Sequence, residues 1–268
     1  MYPKREIFPR SPLVYVTAEV ALAYEPAINK IEVRDLFASA IRSRLPVLSQ
    51  DVAVSLPSPE SSDDSPPETL PTLRAFNRER TSSALLKATS LTFETVTYQD
   101  FDAFSSCVAE ASRALAECAP QALVERAGIR FVNELRHPQH SAEDNPSWDK
   151  WVAPELLASA HLLPSGHAAG AMGTTLYHLE GDDWVALRWG DVVGTSIVDR
   201  DVPLRRTEAP KGRFFALDID SSWEPPEPTP LDPDALMSCL HRLRPPAGEL
   251  FQAAITEDAR EYFRGDKS

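Results

Sequence analysis

The chain has 268 residues, of which 43% are hydrophobic, and this is enough apolar material for one large domain or two small ones. Its 40 Asp and Glu residues outnumber the 27 Lys and Arg residues, so the formal net charge is -13. Such a charge repels phosphate backbones and anionic lipid head groups, and it accelerates encounter with a basic partner. The composition therefore excludes a wholly disordered chain and makes nucleic-acid binding a minority hypothesis.

The three cysteines indicate a reducing compartment. Cys107, Cys118 and Cys239 are widely spaced and form no CxxC pair, so neither a disulfide framework nor a zinc site is predicted. No apolar run approaches the roughly 20 residues that span a bilayer, and the first residues lack the apolar core of a signal peptide. We expect a cytoplasmic protein with no membrane association and no cofactor.

The first 120 residues alternate between strand and helix patterns. Residues 13–24 place Val14, Val16 and Val20 on one face of a strand and Glu19 on the other, where Glu19 faces water or a partner. Asp100 caps a long amphipathic helix that ends at Pro120. Strands are predicted over residues 13–24, 47–56, 73–80, 83–89 and 91–98, and helices over 33–44 and 100–120.

The rest of the chain opens with a well-patterned central strand over residues 125–136. Its apolar face carries one polar residue, Asn133, and Arg130 lies on the opposite face. Pro245 and Pro246 are expected to separate two C-terminal helices, since proline interrupts helical hydrogen bonding. Further strands are predicted over residues 168–180, 184–191 and 214–222, and helices over 152–160, 234–244 and 250–263.

The order of these elements predicts an internal duplication. A strand, a helix, antiparallel strands and a long helix occur in residues 1–120, and the same order recurs in 121–268. Two such α+β halves predict one continuous curved sheet with the long helices on one face, the plan of the TATA-box-binding protein. The Pro-, Ser- and Asp-rich segment 57–71 is expected to be a mobile loop.

Three segments resemble a known protein family. They are the run from Phe8 to Val14, the central run from Gly128 to Asn133, and Leu217-Asp218-Ile219-Asp220 with the later Ala254-Ile255-Thr256. In order and spacing they resemble a sporadically distributed, uncharacterised bacterial family with strands close to P-L-V-E-V, G-L-R-Y-I-N and L-D-I-D. The chain departs from that pattern at Tyr15 and Glu134. The resemblance implies a bacterial protein without a settled biochemical activity. The patchy distribution of the family suggests a mobile gene pair, such as a toxin-antitoxin or anti-phage pair.

The polar residues of two strands are the candidate site. Asp218 and Asp220 stand two apart on a strand, so both carboxylates project from one face about 7 Å apart, a spacing compatible with Mg²⁺ binding or acid/base catalysis. Arg130 either pairs with one of these carboxylates or holds an anion, and a structural ion pair is the commoner case. Asn133 is expected to have a structural role, with its amide satisfied inside the core.

Metal and nucleophile motifs are not supported by the residue spacing. The pairs His137 with His140 and His161 with His167 lack the helical H-x-x-x-H spacing, so no metal site is predicted. Ser165 is not in a G-x-S-x-G elbow.

Three functions follow from these observations. The first is a non-enzymatic acidic interaction protein that binds a basic partner encoded by a neighbouring gene, as the neutralising or regulatory component of a toxin-antitoxin or anti-phage pair. The second is an enzyme or small-ligand binder with a cavity between sheet and helices, anchored by Arg130, Asp218 and Asp220. The third is nucleic-acid binding on the concave sheet face, which requires a positive stripe that includes Arg130 and Arg188.

Overall fold

The computed structural model describes residues 6, 8–54, 69–136, 147–163, 165, 168, 170–198, 202–207, 209 and 211–265. Over these residues the fold is α+β, with five α-helices and a large antiparallel sheet. The strands are β1 (Leu13–Leu22), β2 (Val47–Val54), β3 (Thr69–Phe76), β4 (Ser82–Lys87), β5 (Ser90–Thr95), β6 (Leu123–Leu135), β7 (Met172–His178), β8 (Asp183–Gly194), β9 (Gly212–Trp223) and β10 (Thr229–Pro230). The helices are α1 (Ile31–Ile41), α2 (Phe101–Cys118), α3 (Pro154–Leu157), α4 (Pro233–Ala254) and α5 (Glu257–Arg264).

The chain divides into two compact units. Unit 1 comprises residues 1–16, 128–223 and 241–268, and unit 2 comprises residues 17–127 and 224–240. β1, β6 and α4 each contribute residues to both units. The predicted division into the halves 1–120 and 121–268 stays a prediction.

Unit 2 contains an antiparallel meander, built from strands that include those predicted over residues 73–80, 83–89 and 91–98. β2, β3, β4 and β5 pair antiparallel in chain order, and β1 follows β5. The long helix α2 begins at Asp100, whose side chain accepts a hydrogen bond from the backbone N–H of Ala103. Phe104 of this helix packs edge-on against Phe93 of β5, so the helix lies against one face of the meander.

Unit 1 contains a four-stranded arrangement in the order β6-β9-β8-β7. Five odd-numbered residues of β8 and β9 are buried in the core: Val185, Leu187, Phe215, Leu217 and Ile219. α3, α5 and the C-terminal part of α4 supply the other side of that core, with Trp148 and Trp151 between the elements. The even-numbered residues of the same strands therefore form the second face of the sheet, because side chains alternate along a strand.

The predicted break at Pro245 and Pro246 is wrong. Both prolines lie inside α4, which runs without interruption to Ala254. Buried residues flank the prolines within unit 1, Leu243 before them and Ala247 after them, and burial of a leucine side chain contributes about 1.5–3 kcal/mol. This packing holds a helix that local propensity disfavours, and the break comes instead at Ile255 and Thr256, where the Thr256 side chain caps α5.

The finer parts of the predicted plan are not established by these elements. The curved, duplicated sheet of the TATA-box-binding protein is not confirmed. Residues 57–68 of the predicted loop lie outside the described residues, and residues 69–71 begin β3. No helix in the described part of the chain is both long and apolar enough to cross a membrane.

Candidate functional site

The candidate site lies on the even-numbered face of the unit 1 sheet. Register fixes which side chains are neighbours there: Thr174 of β7 is opposite Arg188 of β8, and Arg188 is opposite Asp218 of β9. Arg130 of β6 reaches Asp218 from the other side. One row of side chains thus crosses four strands, in the order Arg130, Asp218, Arg188 and Thr174.

Asp218 is the centre of this row. Its Oδ1 accepts a hydrogen bond from Arg130 Nε at 2.7 Å, and its Oδ2 accepts one from Arg130 Nη2 at 2.8 Å. Arg188 Nη1 lies 3.5 Å from the same Oδ2. The carboxylate side chain is only 9% exposed, whereas the side chains of Arg130 and Arg188 are 43% and 49% exposed. A buried carboxylate therefore holds two guanidinium groups that face solvent.

The charges in this row favour the cationic form of Arg130. The hydrogen bonds to Asp218 raise the pKa of Arg130 above its ordinary value, against desolvation, and Coulomb attraction to Asp218, Asp220 and Tyr15 adds to the effect. Asp220 lies on the same face, opposite Ala186. Arg130, Arg188, Asp218 and Asp220 together carry no net charge.

Apolar side chains border the row on β7. Met172 and Leu176 stand two residues to either side of Thr174, so all three share a face. Met172 is 80% exposed and Leu176 is 61% exposed. We define the arginine face as Arg130, Asp218, Asp220, Arg188, Met172, Thr174 and Leu176.

One end of the same face is covered by the segment that follows β8. Glu134 of β6 is buried, and its Oε1 accepts hydrogen bonds from the Ser196 hydroxyl at 2.5 Å and from the backbone N–H of Ile197 at 2.9 Å. Arg136 donates to the carboxylate of Glu134 and to the carbonyl of Thr195, both at 2.6 Å. Its guanidinium lies 4.3 Å from the centre of the Phe214 ring. These contacts fix the covering segment, so the exposed part of the face lies farther along the strands.

The opposite face supports the row rigidly. Asn133 is buried there, and its side-chain amide donates to the carbonyl of Leu217 at 3.2 Å, which ties β6 to β9 beside Asp218. The Trp189 indole donates to the carbonyl of Leu156 at 3.1 Å and lies across Gly173. A Cβ atom on Gly173 would come within 2.4 Å of that indole. β7 is therefore held against β8 by a contact that only glycine permits.

Unit 2 holds another arginine–carboxylate cluster and the remaining predicted residue, Glu19. Arg74 pairs with Glu94, whose Oε1 also accepts a hydrogen bond from the Ser83 hydroxyl at 2.6 Å. The side chains of Arg74 and Glu94 are 14% and 5% exposed. Glu19, in β1, is half-buried and accepts a hydrogen bond from the Thr92 hydroxyl at 3.3 Å.

This geometry limits the chemistry available at Asp218. Both of its oxygens are engaged by arginines, so Asp218 and Asp220 do not present two free carboxylates to a cation. No group of three or more His, Cys, Asp or Glu side chains suited to a metal ion occurs among the described residues. His137, His140 and His167 lie outside those residues.

The sequence identified the charged members of the face but missed its apolar members. Arg130, Asp218 and Arg188 are in direct contact, Asp220 shares their face, and Asn133 lies on the other side of the sheet. Met172 and Leu176 were missed because the glycine and threonines between them weaken the alternation. Their spacing of four residues, which puts both on one face of a strand, was the available signal.

Comparison with known proteins does not assign this arrangement to a family. A scan against protein-family models found no match, and a search of curated proteins also found none. The family resemblance of the three sequence segments stays a prediction.

Proposed function

We propose that this chain is a non-enzymatic protein-binding module and that the arginine face docks its partner. The observation that carries the proposal is the pair of half-exposed arginines, Arg130 and Arg188, held by one buried carboxylate beside exposed Met172 and Leu176. Arginine and methionine are enriched in protein interfaces, and arginine is frequent among the residues that dominate binding energy. Prior ordering of the arginines by Asp218 lowers the entropy that binding would otherwise cost.

The same residues support the alternatives less well. Nucleic-acid binding requires a positive stripe, but Asp218 and Asp220 neutralise Arg130 and Arg188. An enzyme with Asp218 as acid, base or metal ligand requires a free carboxylate oxygen, and the arginines occupy both oxygens.

The net charge of -13 supports a basic partner, since long-range attraction accelerates encounter before the interface forms. We further propose that this partner is encoded by a neighbouring gene in a bacterial toxin-antitoxin or anti-phage pair, and that the two proteins meet in the cytoplasm.

We also propose that the chain has the duplicated sheet plan of the TATA-box-binding protein. Its support is that each unit has antiparallel strands with helices packed on them.

The proposal can be tested by capture of the partner with tagged variants. The wild-type chain, produced together with the product of the neighbouring gene, is compared with Arg188→Glu and Leu176→Asp. Each variant has a matched control in unit 2: Arg113→Glu, at an exposed position on α2, and Leu36→Asp, whose side chain is 62% exposed against 61% for Leu176. Thermal unfolding of all five proteins verifies that each is folded.

We expect the wild-type chain and both controls to retain the partner, and both face variants to lose most of it. A complex that forms equally well with Arg188→Glu, Leu176→Asp and their controls would refute docking on the arginine face. Failure of the wild-type chain to retain the neighbouring gene product would refute that product as the partner.

A further inference from the structure

We propose that the partner contributes an extended segment that adds to β7 as a further strand and places an acidic side chain beside Arg188. This inference rests on the proposed function, because it specifies how the arginine face is used. It concerns β7 (Met172–His178), the last strand in the order β6-β9-β8-β7. Within the part of the chain that the structure describes, β7 pairs with β8 alone.

The ladder with β8 leaves the backbone groups of alternate β7 residues directed away from β8. At the two ends of its ladder with β8, the odd-numbered residues make the hydrogen bonds: the carbonyl of Ala171 accepts from Asp191, and the N–H of Leu179 donates to Asp183. Bonded and non-bonded pairs alternate along an antiparallel ladder, so the even-numbered residues direct their N–H and C=O groups away from β8. An edge strand of this kind is a template for another strand.

The same even-numbered residues place their side chains on the arginine face. A segment paired along this edge would therefore have alternate side chains beside Met172, Thr174 and Leu176. Apolar residues suit the two outer positions, where Met172 and Leu176 are already exposed and lose water on docking. The pattern expected in the partner is apolar, any residue, acidic, any residue, apolar.

The acidic position follows from charge complementarity. Arg188 is directly opposite Thr174, and Asp218 is its one ion-pair partner among the described residues, at 3.5 Å. Neighbouring strands lie about 4.8 Å apart, so an added strand would run about 10 Å from β8. An extended arginine and a glutamate that point toward each other span this distance. A lysine in the same place would face a guanidinium group, which disfavours binding.

Synthetic peptides test the proposal on the intact protein. The probe is the nonapeptide Lys-Ser-Leu-Thr-Glu-Thr-Leu-Ser-Lys, labelled with fluorescein, and its relative has Lys in place of the central Glu. Binding is measured by fluorescence anisotropy, and contacts with β7 by amide chemical shifts. We expect the Glu peptide to bind about tenfold more tightly than the Lys peptide. In the Arg188→Gln variant this ratio falls to about twofold or less.

Backbone pairing is tested first by changes in the peptide and then by changes in β7. Methylation of the backbone nitrogen of the central Glu removes a donor that faces β7, and we expect it to abolish binding. Methylation of a flanking Thr nitrogen, which faces away from β7, is the matched control and leaves binding within about threefold. On the protein side, Thr174→Pro removes an outward N–H, whereas Thr174→Val keeps it.

Each outcome supports or overturns strand addition. Equal affinity of the Glu and Lys peptides, unchanged binding after methylation of the central nitrogen, or no binding of either peptide at millimolar concentration would overturn it. Sedimentation that shows a dimer of the chain itself, abolished by Thr174→Pro, would assign the edge to a second copy instead. If the peptides do not bind but the Arg188→Glu variant still loses the partner, strand addition is refuted and docking on the arginine face is supported. If the peptides do not bind and the Arg188→Glu variant also retains the partner normally, strand addition and docking on the arginine face are both refuted.

Discussion

Two of the arginine–carboxylate clusters in the described part of this chain, Arg74 with Glu94 and Asp218 with Arg130 and Arg188, share their chemistry and differ in exposure. In unit 2, Arg74 and Glu94 are both largely buried, and the hydroxyl of buried Ser83 bonds the same carboxylate. In unit 1, Asp218 is buried but Arg130 and Arg188 keep about half of their surface in solvent. In a buried pair, the hydrogen-bonding groups of both side chains are used within the protein. A buried carboxylate with exposed arginines leaves guanidinium N–H donors available to a partner. The difference indicates a stability role for the first cluster and supports a recognition role for the second.

Breaking the buried cluster is the change with the largest expected effect on stability. Arg74→Leu leaves Glu94 buried without its cation, and removal of one partner from a buried pair costs about 3–5 kcal/mol. The free energy of unfolding in urea measures this loss, with Arg113→Leu as a control at an exposed position on α2. A loss below about 1 kcal/mol would show that the buried cluster does not contribute more to stability than the exposed one.

Asp218→Asn is expected to have an intermediate effect. The substitution keeps the shape of the side chain but removes the charge that receives two hydrogen bonds from Arg130. Because water can solvate the exposed part of Arg130, we expect a loss of about 1–2 kcal/mol, less than for Arg74→Leu. The same urea titration measures it, and a loss as large as that of Arg74→Leu would assign the exposed cluster to the stability of the fold.

Arg188→Gln is expected to change stability least among the three, by less than about 1 kcal/mol, since its contact with Asp218 is long and its side chain is half-exposed. Partner capture is expected to fall strongly in the same variant. Arg113→Gln is the matched control for both measurements. If Arg188→Gln lowers the free energy of unfolding but retains the partner normally, the cluster around Asp218 has a role in stability and not in recognition.

A third contact, near the ends of the chain, gives the smallest effect and a dependence on pH. Hydrogen bonds from Arg264 lower the pKa of Glu6 and of Glu257 below their ordinary values. Carboxylates with lowered pKa values stabilise the fold above the pKa of the unfolded chain, and this contribution is lost as pH falls through the folded pKa. We therefore expect a small difference in unfolding free energy between wild type and Arg264→Gln at pH 7, and a smaller one below about pH 4. A difference that grows with acidity would contradict the assignment.

The sequence was sufficient to predict most elements of the fold. Alternation identified β1, β6 and β9, and the helical stripe with its Asp100 cap identified α2, because each of these patterns is local. The failure at Pro245 and Pro246 has a physical reason. Packing of Leu243 and Ala247 is a tertiary effect, and it overrides the local preference of proline.

The candidate site was predictable only in part. Asp218 and Arg130 were identified as candidates because each places a charge on a patterned strand. Their ion pair depends on the register between β6 and β9, which lie far apart in the chain. The edge position of β7 likewise depends on strand order. Sequence alone also did not separate buried Glu94 from half-buried Glu19, because both are single charges on alternating strands.

The most direct test of the central claim is amide hydrogen exchange of β7, resolved by residue, with and without the captured partner. The N–H groups of Thr174 and Leu176 point away from β8, so we expect them to exchange rapidly in the free chain. With the partner bound, we predict that both become protected, while the amides of β4 in unit 2 are unchanged. Unchanged exchange at Thr174 and Leu176 in a complex that has formed would contradict docking on the arginine face along β7.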